Sequence, residues 1–474
     1  MYHLDRPSRA ALPASYFWTW DHYTNWVLDD PGIQAYGACN PYLKRPETFL
    51  EDYRRLSDFA AGIGIKGLTI WGFLRDSHGG ADYAKRVAGY AAAHGLTVSP
   101  GLGVTWYGGP YYEGDHPYNL DTFLRKNPEA RMLDEHGRPF GEKGVGESGA
   151  CPAHPLFQAW LAEGMGWMLR EFEIGGFNLE NGDFLVDHHP LTQSARKEWP
   201  ADDPPVFFFQ GYSYRQALRA MGDQLDRLYA VYATYTGFRP SASVAQNAAM
   251  GQRYPAMLDL LPQQSVCQWT LTGMLRRPSL PLMRYLDDGA PAEALDSPGW
   301  PAGLKPPAGR RHVGFLHQGS YWDAAGRTAL IIGTIKEACL RAARAGLEGV
   351  GMEGGVTCRH IPAALNYLAL SHFSYWPEDS LRGFARKTLA QVLGSAQASE
   401  DFVEILARWE AGMTTDADRK GAAPENHGFG NQARMTIRAS DIPDRFQRFL
   451  FWRWLSVAIS TPGYTPLQCG GLEY

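Results

Sequence analysis

The chain lacks the features that would place it on nucleic acid, in a membrane or around a structural zinc ion. Its 474 residues carry a formal net charge of −5 and no basic stripe of the kind that nucleic acid needs. No run of 18 apolar residues occurs, so no membrane span is expected. The six cysteines are scattered, without a C-x-x-C pair or a Cys/His cluster at zinc spacing. We therefore expect no metal, no cofactor, no nucleic-acid partner and no membrane partner.

The first twenty residues, MYHLDRPSRAALPASYFWTW, contain no apolar segment of the length that a signal peptide requires. Scattered single cysteines are typical of buried thiols in a reducing compartment. These two features together predict a cytoplasmic protein. Nothing in the composition predicts an oligomeric state.

Aromatic residues are the outlier in an otherwise ordinary globular composition. The chain is 45% hydrophobic and 20% charged, and it is 13% aromatic, with 15 Trp and 24 Tyr. Flat rings beyond the needs of a core often line sites for sugars or bases, where they stack on the ligand. The same rings could also be ordinary core and surface aromatics of a large protein.

Short apolar runs alternate with helix-period segments along most of the chain. The runs lie at 15–21, 65–72, 96–106, 174–180, 240–246, 264–271, 312–319 and 347–353. Several of the helical segments end in Gly just before the next run, as a helix C-terminal cap should. Eight such units predict a closed (β/α)8 barrel. The alternative, a doubly wound open sheet, usually carries a G-x-G-x-x-G turn after its first strand, and none is present.

The barrel is predicted over residues 1–375, and residues 376–474 are predicted to form a helical C-terminal extension with amphipathic segments. Two long segments, 107–150 and 276–311, follow the third and sixth predicted strands. Long loops in compact domains are mostly functional, so both are expected to wall the mouth of the barrel. Either one could instead be a surface insertion without a role.

Barrel enzymes carry their catalytic residues at the C-terminal ends of the strands, so each predicted strand end supplies candidates. In chain order these are Trp20, Asp21, His22, Trp71, Arg75, Trp106, Tyr107, Asn178, Glu180, Asn181, Asp183, Gln246, Gln268, Trp269, His317, Gln318 and Glu353. Aromatic rings can stack on sugar faces, while the amide, His and Arg side chains can bind hydroxyl groups. The acidic members are the candidates for chemistry, with Asp183 equally well explained as a loop or capping residue.

Glu180 closes the fourth predicted strand. Side chains two apart share a face of a strand, so Asn178 and Glu180 point one way while Phe177 and Leu179 point the other. The apolar pair suits the layer between sheet and helices, which leaves the polar pair for the barrel axis. A buried glutamate must be hydrogen-bonded or paired, and a structural pairing with an Arg is the alternative. We predict that Glu180 is a proton donor.

Glu353 lies between glycines at the end of the eighth predicted strand, roughly across the barrel from Glu180. Two carboxylates that converge on one cavity suit glycoside hydrolysis, where one protonates the leaving oxygen and the other acts as base or nucleophile. Opposite walls favour a wide separation and hence inversion, whereas carboxyl groups about 5–5.5 Å apart would indicate retention. Asp21, on the neighbouring first strand, is the reserve for this second carboxylate.

Over residues 15 to 375 the layout resembles (β/α)8 glycoside hydrolases. The fourth strand is similar to the Asn-x-Glu-Asn of endo-β-N-acetylglucosaminidases, matched here by Asn178, Glu180 and Asn181. That resemblance implies an acid/base role for the Glu, and an Asn that holds the substrate's own acetamide as nucleophile. The retaining superfamily with adjacent Asn-Glu on strand four and a Glu on strand seven does not match, and neither do α-galactosidase-like barrels.

The preferred interpretation is a glycoside hydrolase that cleaves an oligo- or polysaccharide by carboxylate acid/base catalysis. A substrate-assisted hydrolase specific for N-acetylhexosamines is the second hypothesis. A non-catalytic carbohydrate-binding barrel is a third, of a different class, and a barrel isomerase or aldolase is a fourth. In the first three the partner is a carbohydrate.

Overall fold

Eight parallel strands close into a barrel in sequence order. The computed structural model describes residues 3–21, 24–27, 44–140, 149–181, 186–199, 201, 205–234, 256–271, 282–288, 306–316, 331–359 and 361–419. The strands are β1 Tyr16–Trp20, β2 Gly67–Trp71, β3 Thr97–Gly103, β4 Gly176–Glu180, β5 Tyr229–Thr234, β6 Val266–Thr270, β7 Arg311–Leu316 and β8 Val350–Glu353. Pairing of β1 with β8 completes the ring. The predicted (β/α)8 architecture is confirmed.

Helices alternate with these strands and cover the barrel. In the described residues they are α1 Pro46–Ile63, α2 Gly80–Ala93, α3 Leu120–Lys126, α4 Pro155–Glu171, α5 Pro190–Arg196, α6 Pro205–Met221, α7 Ile332–Ala345 and α8 Ile361–Tyr375. Gly64 and Gly346 end α1 and α7 in the left-handed region, at φ +86° and +77°. Glycine adopts this conformation without a Cβ clash, which is why it stops a helix just before the next strand.

The fifth strand differs from the prediction. It is β5, Tyr229–Thr234, and not the run 240–246, which lies outside the described residues. The sequence YAVYAT continues a helix-period segment between the fourth and fifth predicted runs, but α6 ends at Met221 and a 3-10 turn over Gly222–Asp226 follows it. Tyr, Val and Thr are aromatic or β-branched residues that suit a strand, and this strand pairs with both β4 and β6. Gln246, a candidate predicted at the end of that run, lies outside the described residues and has no assigned position in the site.

Large side chains inside the barrel are accommodated by glycines on neighbouring strands. Tyr16, Trp18 and Trp71 pack in an interior cluster, in which further members are Val231, Val266, Val313 and Phe315. A Cβ on Gly101 would lie 2.3 Å from the Trp71 ring, and one on Gly351 would lie 2.1 Å from the Tyr16 ring. The outward residues of the strands belong to a separate, larger core between sheet and helices.

Helical structure continues past the barrel. The segments after α8 are α9 Leu381–Phe384, a π-helical turn Ala385–Leu389, α10 Ala390–Leu393 and α11 Ala396–Arg419. Leu381, Phe384 and Val403 are buried in the same core as the residues of α8. Helices therefore follow the barrel as expected, while the division at residue 375 stays a prediction. Among the described residues, none of the helices has the length and apolarity needed to cross a membrane.

Candidate active site

The backbone of Glu180 is held by β3 and by the loop that follows β3. It is the last residue of β4, it pairs in register with Gly103, and its carbonyl accepts a hydrogen bond from the Val104 N–H at 2.8 Å. The next residue, Asn181, is fully buried, and its Oδ1 accepts bonds from the Thr105 N–H at 3.0 Å and from the Thr105 hydroxyl. The Glu180 side chain is partly exposed. Asn181 thus anchors the loop after β3, and Glu180 projects from a fixed strand end.

Glu353 occupies the corresponding end of β8, on the opposite wall. It pairs in register with Trp18 of β1, which faces the barrel interior, and it is 1% exposed. The turn after it is fixed by the Trp26 indole, which donates to the Gly354 carbonyl at 2.8 Å. Since β4 and β8 are four strands apart in either direction round the ring, the two glutamates lie at the same end of the barrel and face each other across it.

A buried hydrogen-bond network lies below Glu180. Trp71 Nε1 donates to Asn178 Oδ1 at 3.3 Å, and Asn178 Nδ2 donates to Gln268 Oε1 at 3.1 Å. The Tyr16 hydroxyl donates to the same Gln268 oxygen at 2.6 Å. Burial raises the pKa of Tyr16 well above its ordinary value, so the phenol stays a donor. The network fixes the orientation of the Asn178 amide and joins four strands beneath the mouth.

Aromatic rings line the mouth between the two glutamates. Trp20 contacts Trp18 at 5.7 Å, Trp71 at 6.4 Å and Tyr107 at 6.0 Å between ring centroids, each time edge to face. Tyr107 has φ +50°, a left-handed conformation that is uncommon for a non-glycine residue. Such local strain is often found at functional sites. Trp106 instead packs on Phe140 of the 107–150 segment, with 5.3 Å between the ring centroids.

Arg75 and Tyr112 form a second layer beside this aromatic lining. The Arg75 guanidinium lies 4.5 Å from the Tyr112 ring centroid and is ion-paired with Glu113. The Tyr112 hydroxyl accepts a hydrogen bond from Trp20 Nε1 at 3.3 Å. Burial raises the pKa of Tyr112, and the charge of Glu180 adds to that rise. Tyr112 was not among the sequence candidates, because it lies inside the long 107–150 loop and not at a strand end.

Asp21 belongs to a different environment. Its side chain is fully buried in ion pairs with His78 and with Lys44, at 3.0 Å, and Lys44 also contacts Asp52 at 2.9 Å. Burial would raise the pKa of Asp21, but the Lys44 ammonium and the contact with His78 hold it below its ordinary value. Asp21 follows the inward-facing Trp20, so it points to the outer side of the strand. This arrangement suits a structural ion pair, not the second carboxylate.

Trp269 is also placed away from the mouth. It pairs in register with Gly314, is fully buried in the core between sheet and helices, and donates to His312 Nδ1 at 3.0 Å. Its neighbour Gln268 takes the inward face, so Trp269 cannot share it. Four further candidates lie outside the described residues and have no assigned position in the site. They are His22, Asp183, His317 and Gln318.

No group of three or more His, Cys, Asp or Glu side chains in the described part of the chain is arranged to hold a metal ion. The described site therefore consists of two carboxylates, an amide network and aromatic rings. Its carboxyl groups can transfer protons, and its aromatic rings offer flat apolar surface to a ring-shaped ligand.

No family model matches the chain, and no curated protein matches it. Among solved structures it is similar to a maltogenic α-amylase from Thermotoga neapolitana, at 11% identity and TM-score 0.42 over 77% of each chain. It is similar to α-L-fucosidase isoenzyme 2 from Paenibacillus thiaminolyticus, at 10% identity and TM-score 0.42, over 77% of this chain and 50% of that one. An exo β-N-acetylglucosaminidase from Vibrio harveyi shows 11% identity and TM-score 0.40, with 89% and 60% covered. Similarity at this level carries no argument about activity, which must come from the site itself.

Proposed function

We propose that the protein is a glycoside hydrolase in which Glu180 donates the proton and Glu353 is the second carboxylate. The observation that carries the proposal is their placement: both close a strand at the same end of the barrel, both face inward, and aromatic rings line the space between them. Glu180, partly exposed, protonates the leaving oxygen, while the deeper Glu353 acts on the anomeric carbon or on a water. The partly exposed rings of Trp20 and Tyr107 offer apolar surface to a sugar ring in an oligo- or polysaccharide, and the buried Trp71 packs against both.

Inversion is the stereochemical outcome that we propose. Glu180 and Glu353 come from strands on opposite walls of the ring. A wide separation leaves room for a water between the sugar and the second carboxylate, and about 6.5–9.5 Å is typical of inverting enzymes. In that case Glu353 is the general base. Retention would require the two carboxyl groups to approach to about 5–5.5 Å.

The contacts of Asn178 favour this mechanism over a substrate-assisted one. Its Oδ1 accepts from Trp71 and its Nδ2 donates to Gln268, and the side chain is 2% exposed. An amide that oriented a substrate acetamide would have to exchange these bonds. It also lies two residues below Glu180 on the strand, further from the mouth. We therefore assign Asn178 to the support of the site.

A panel of aryl glycosides and oligosaccharides tests the proposal, with the anomeric form of the first product followed by NMR. Glu180→Gln and Glu353→Gln should each lower kcat/KM by about 10²–10⁴-fold, the range typical of general acid–base catalysis. Glu348→Gln is the matched control. This carboxylate precedes β8, is partly exposed and pairs with Arg311 at 2.9 Å, at the other end of the strands, so the control should keep wild-type turnover.

Two results would contradict the proposal. Full turnover by Glu180→Gln on a confirmed substrate would remove the proton donor. Saturable glycan binding without hydrolysis of any panel member would favour the non-catalytic carbohydrate-binding barrel instead. A product with retained configuration would leave the carboxylate pair in place and refute only inversion.

A further inference from the structure

The loop after β3 brings the hydroxyl group of Tyr112 against the lining of the candidate site. Its oxygen accepts a hydrogen bond from the Trp20 indole N–H at 3.3 Å. Trp20 is the last residue of β1 and packs against the interior cluster. Glu180 closes β4, which pairs with β3 at Gly103, so the loop that carries Tyr112 starts beside Glu180. A tyrosine hydroxyl that accepts one bond still has its own O–H to donate. The hydroxyl therefore lies on the Glu180 side of the mouth with a proton to offer.

The backbone around Tyr112 is firmly held. A Cβ on Gly108 would lie 1.9 Å from the Tyr112 carbonyl oxygen, so only glycine, here at φ +76°, allows the loop to turn back on itself. The Glu113 N–H donates to the Leu74 carbonyl at 3.2 Å, and the Asp76 N–H donates to the Glu113 carbonyl at 3.0 Å. The loop after β3 is thereby bonded to the loop after β2.

The ring of Tyr112 is held as well. The Arg75 guanidinium packs against its face at 4.5 Å, and the Arg75 charge is balanced by the carboxylate of Glu113. The Arg75 side chain is 10% exposed, so this cation is largely removed from solvent. A ring fixed by a stacked cation and an indole N–H loses little freedom when it binds a ligand, which is the condition for efficient hydrogen bonding to a substrate.

We propose that Tyr112 is a substrate-binding residue, whose hydroxyl donates a hydrogen bond to a sugar oxygen on the Glu180 side of the site. This inference rests on the proposed glycoside hydrolase function. The raised pKa of Tyr112 keeps the phenol protonated across the working range of the enzyme. The contact makes a residue of the long loop after β3 a specificity determinant of the site.

Tyr112→Phe removes the hydroxyl and keeps the ring, and Tyr111→Phe is the matched control. The Tyr111 hydroxyl donates to Asp76, outside the candidate site. Its removal therefore measures the effect of losing a tyrosine hydroxyl from the same loop without a contact to substrate. With the aryl glycoside that the wild type hydrolyses fastest, Tyr112→Phe should lower kcat/KM about 10-fold, as expected for one hydrogen bond to substrate. Tyr111→Phe should stay within about twofold of the wild type.

Monodeoxy analogues of that aryl glycoside supply the decisive comparison. Removal of the sugar hydroxyl that Tyr112 contacts should cost the wild type about 10-fold in kcat/KM and cost Tyr112→Phe almost nothing, because the two changes delete the same bond. This ratio does not depend on the fraction of enzyme that is folded. Equal losses in both proteins for every analogue would overturn the inference. If Tyr112→Phe matches the wild type while Glu180→Gln is inactive, the proposed function stands and the role of Tyr112 fails.

Discussion

Replacement of Asp21 by Asn separates a structural from a catalytic role for this residue. The change keeps the shape of the side chain and removes its charge from a fully buried cluster with Lys44 and His78. Breaking a buried ion pair costs about 3–5 kcal/mol. Lys44 keeps Asp52 as a counter-ion at 2.9 Å, so we expect the lower figure, about 3 kcal/mol.

That loss translates into a small but measurable change in melting temperature. An unfolding entropy of about 2.1 cal/mol/K per residue over 474 residues gives about 1 kcal/mol/K, so Tm should fall by about 3 °C. Calorimetry measures the shift, and kcat/KM per folded molecule should remain near that of the wild type. Asp52→Asn is the control from the same cluster, because Asp52 lies on α1 and also contacts Lys44. An Asp21→Asn enzyme with unchanged Tm and at least 100-fold lower kcat would refute the reasoning and make Asp21 the second carboxylate.

Three further predictions concern substitutions at single positions. Burial lowers the pKa of His372 from 6.5 to about 4. As the pH falls, this imidazole is therefore protonated in the unfolded chain before it is protonated in the folded one. The free energy of unfolding should fall by about 3 kcal/mol from pH 6.5 to pH 4, and a denaturant series on His372→Gln should flatten that dependence. Gly103→Ala would place a Cβ 2.1 Å from the Trp106 carbonyl, so Tm and kcat/KM should both fall, and unchanged values would contradict the packing described. Asn181→Ala removes the acceptor of Thr105 and should cost about 1–3 kcal/mol in denaturant unfolding; no loss would show that this anchor is unimportant.

Local periodicity was sufficient to locate most of the barrel. Seven of the eight strands lie within the predicted runs or one residue outside them, because alternating or continuous apolar runs between capped helices identify strands without tertiary information. The same alternation predicted the inward pair on β4, Asn178 and Glu180. Glu353 followed from its position at the end of the eighth run.

Features that depend on contacts between distant segments were missed. The β5 sequence YAVYAT follows a helix without a strong break, and only its pairing with β4 and β6 distinguishes it from more helix. The Asp21 cluster needs Lys44, which lies 23 positions further along the chain. The Tyr112 hydroxyl reaches the site only because its loop is bonded to the loop after β2. The outward position of Trp269 could have been predicted from the sequence. Adjacent strand residues point to opposite faces, so an inward Gln268 already places Trp269 on the outer face.

The central claim is that Glu180 and Glu353 are the acid and the second carboxylate of one glycosidic site. The most direct test compares Glu180→Gln on two glycosides of the same sugar, one with a 2,4-dinitrophenol leaving group and one with a phenol leaving group. A lost proton donor should slow the phenyl glycoside by about 10²–10⁴-fold and spare the dinitrophenyl glycoside, whose leaving group needs no protonation. Equal effects on both substrates, or none on either, would contradict the account.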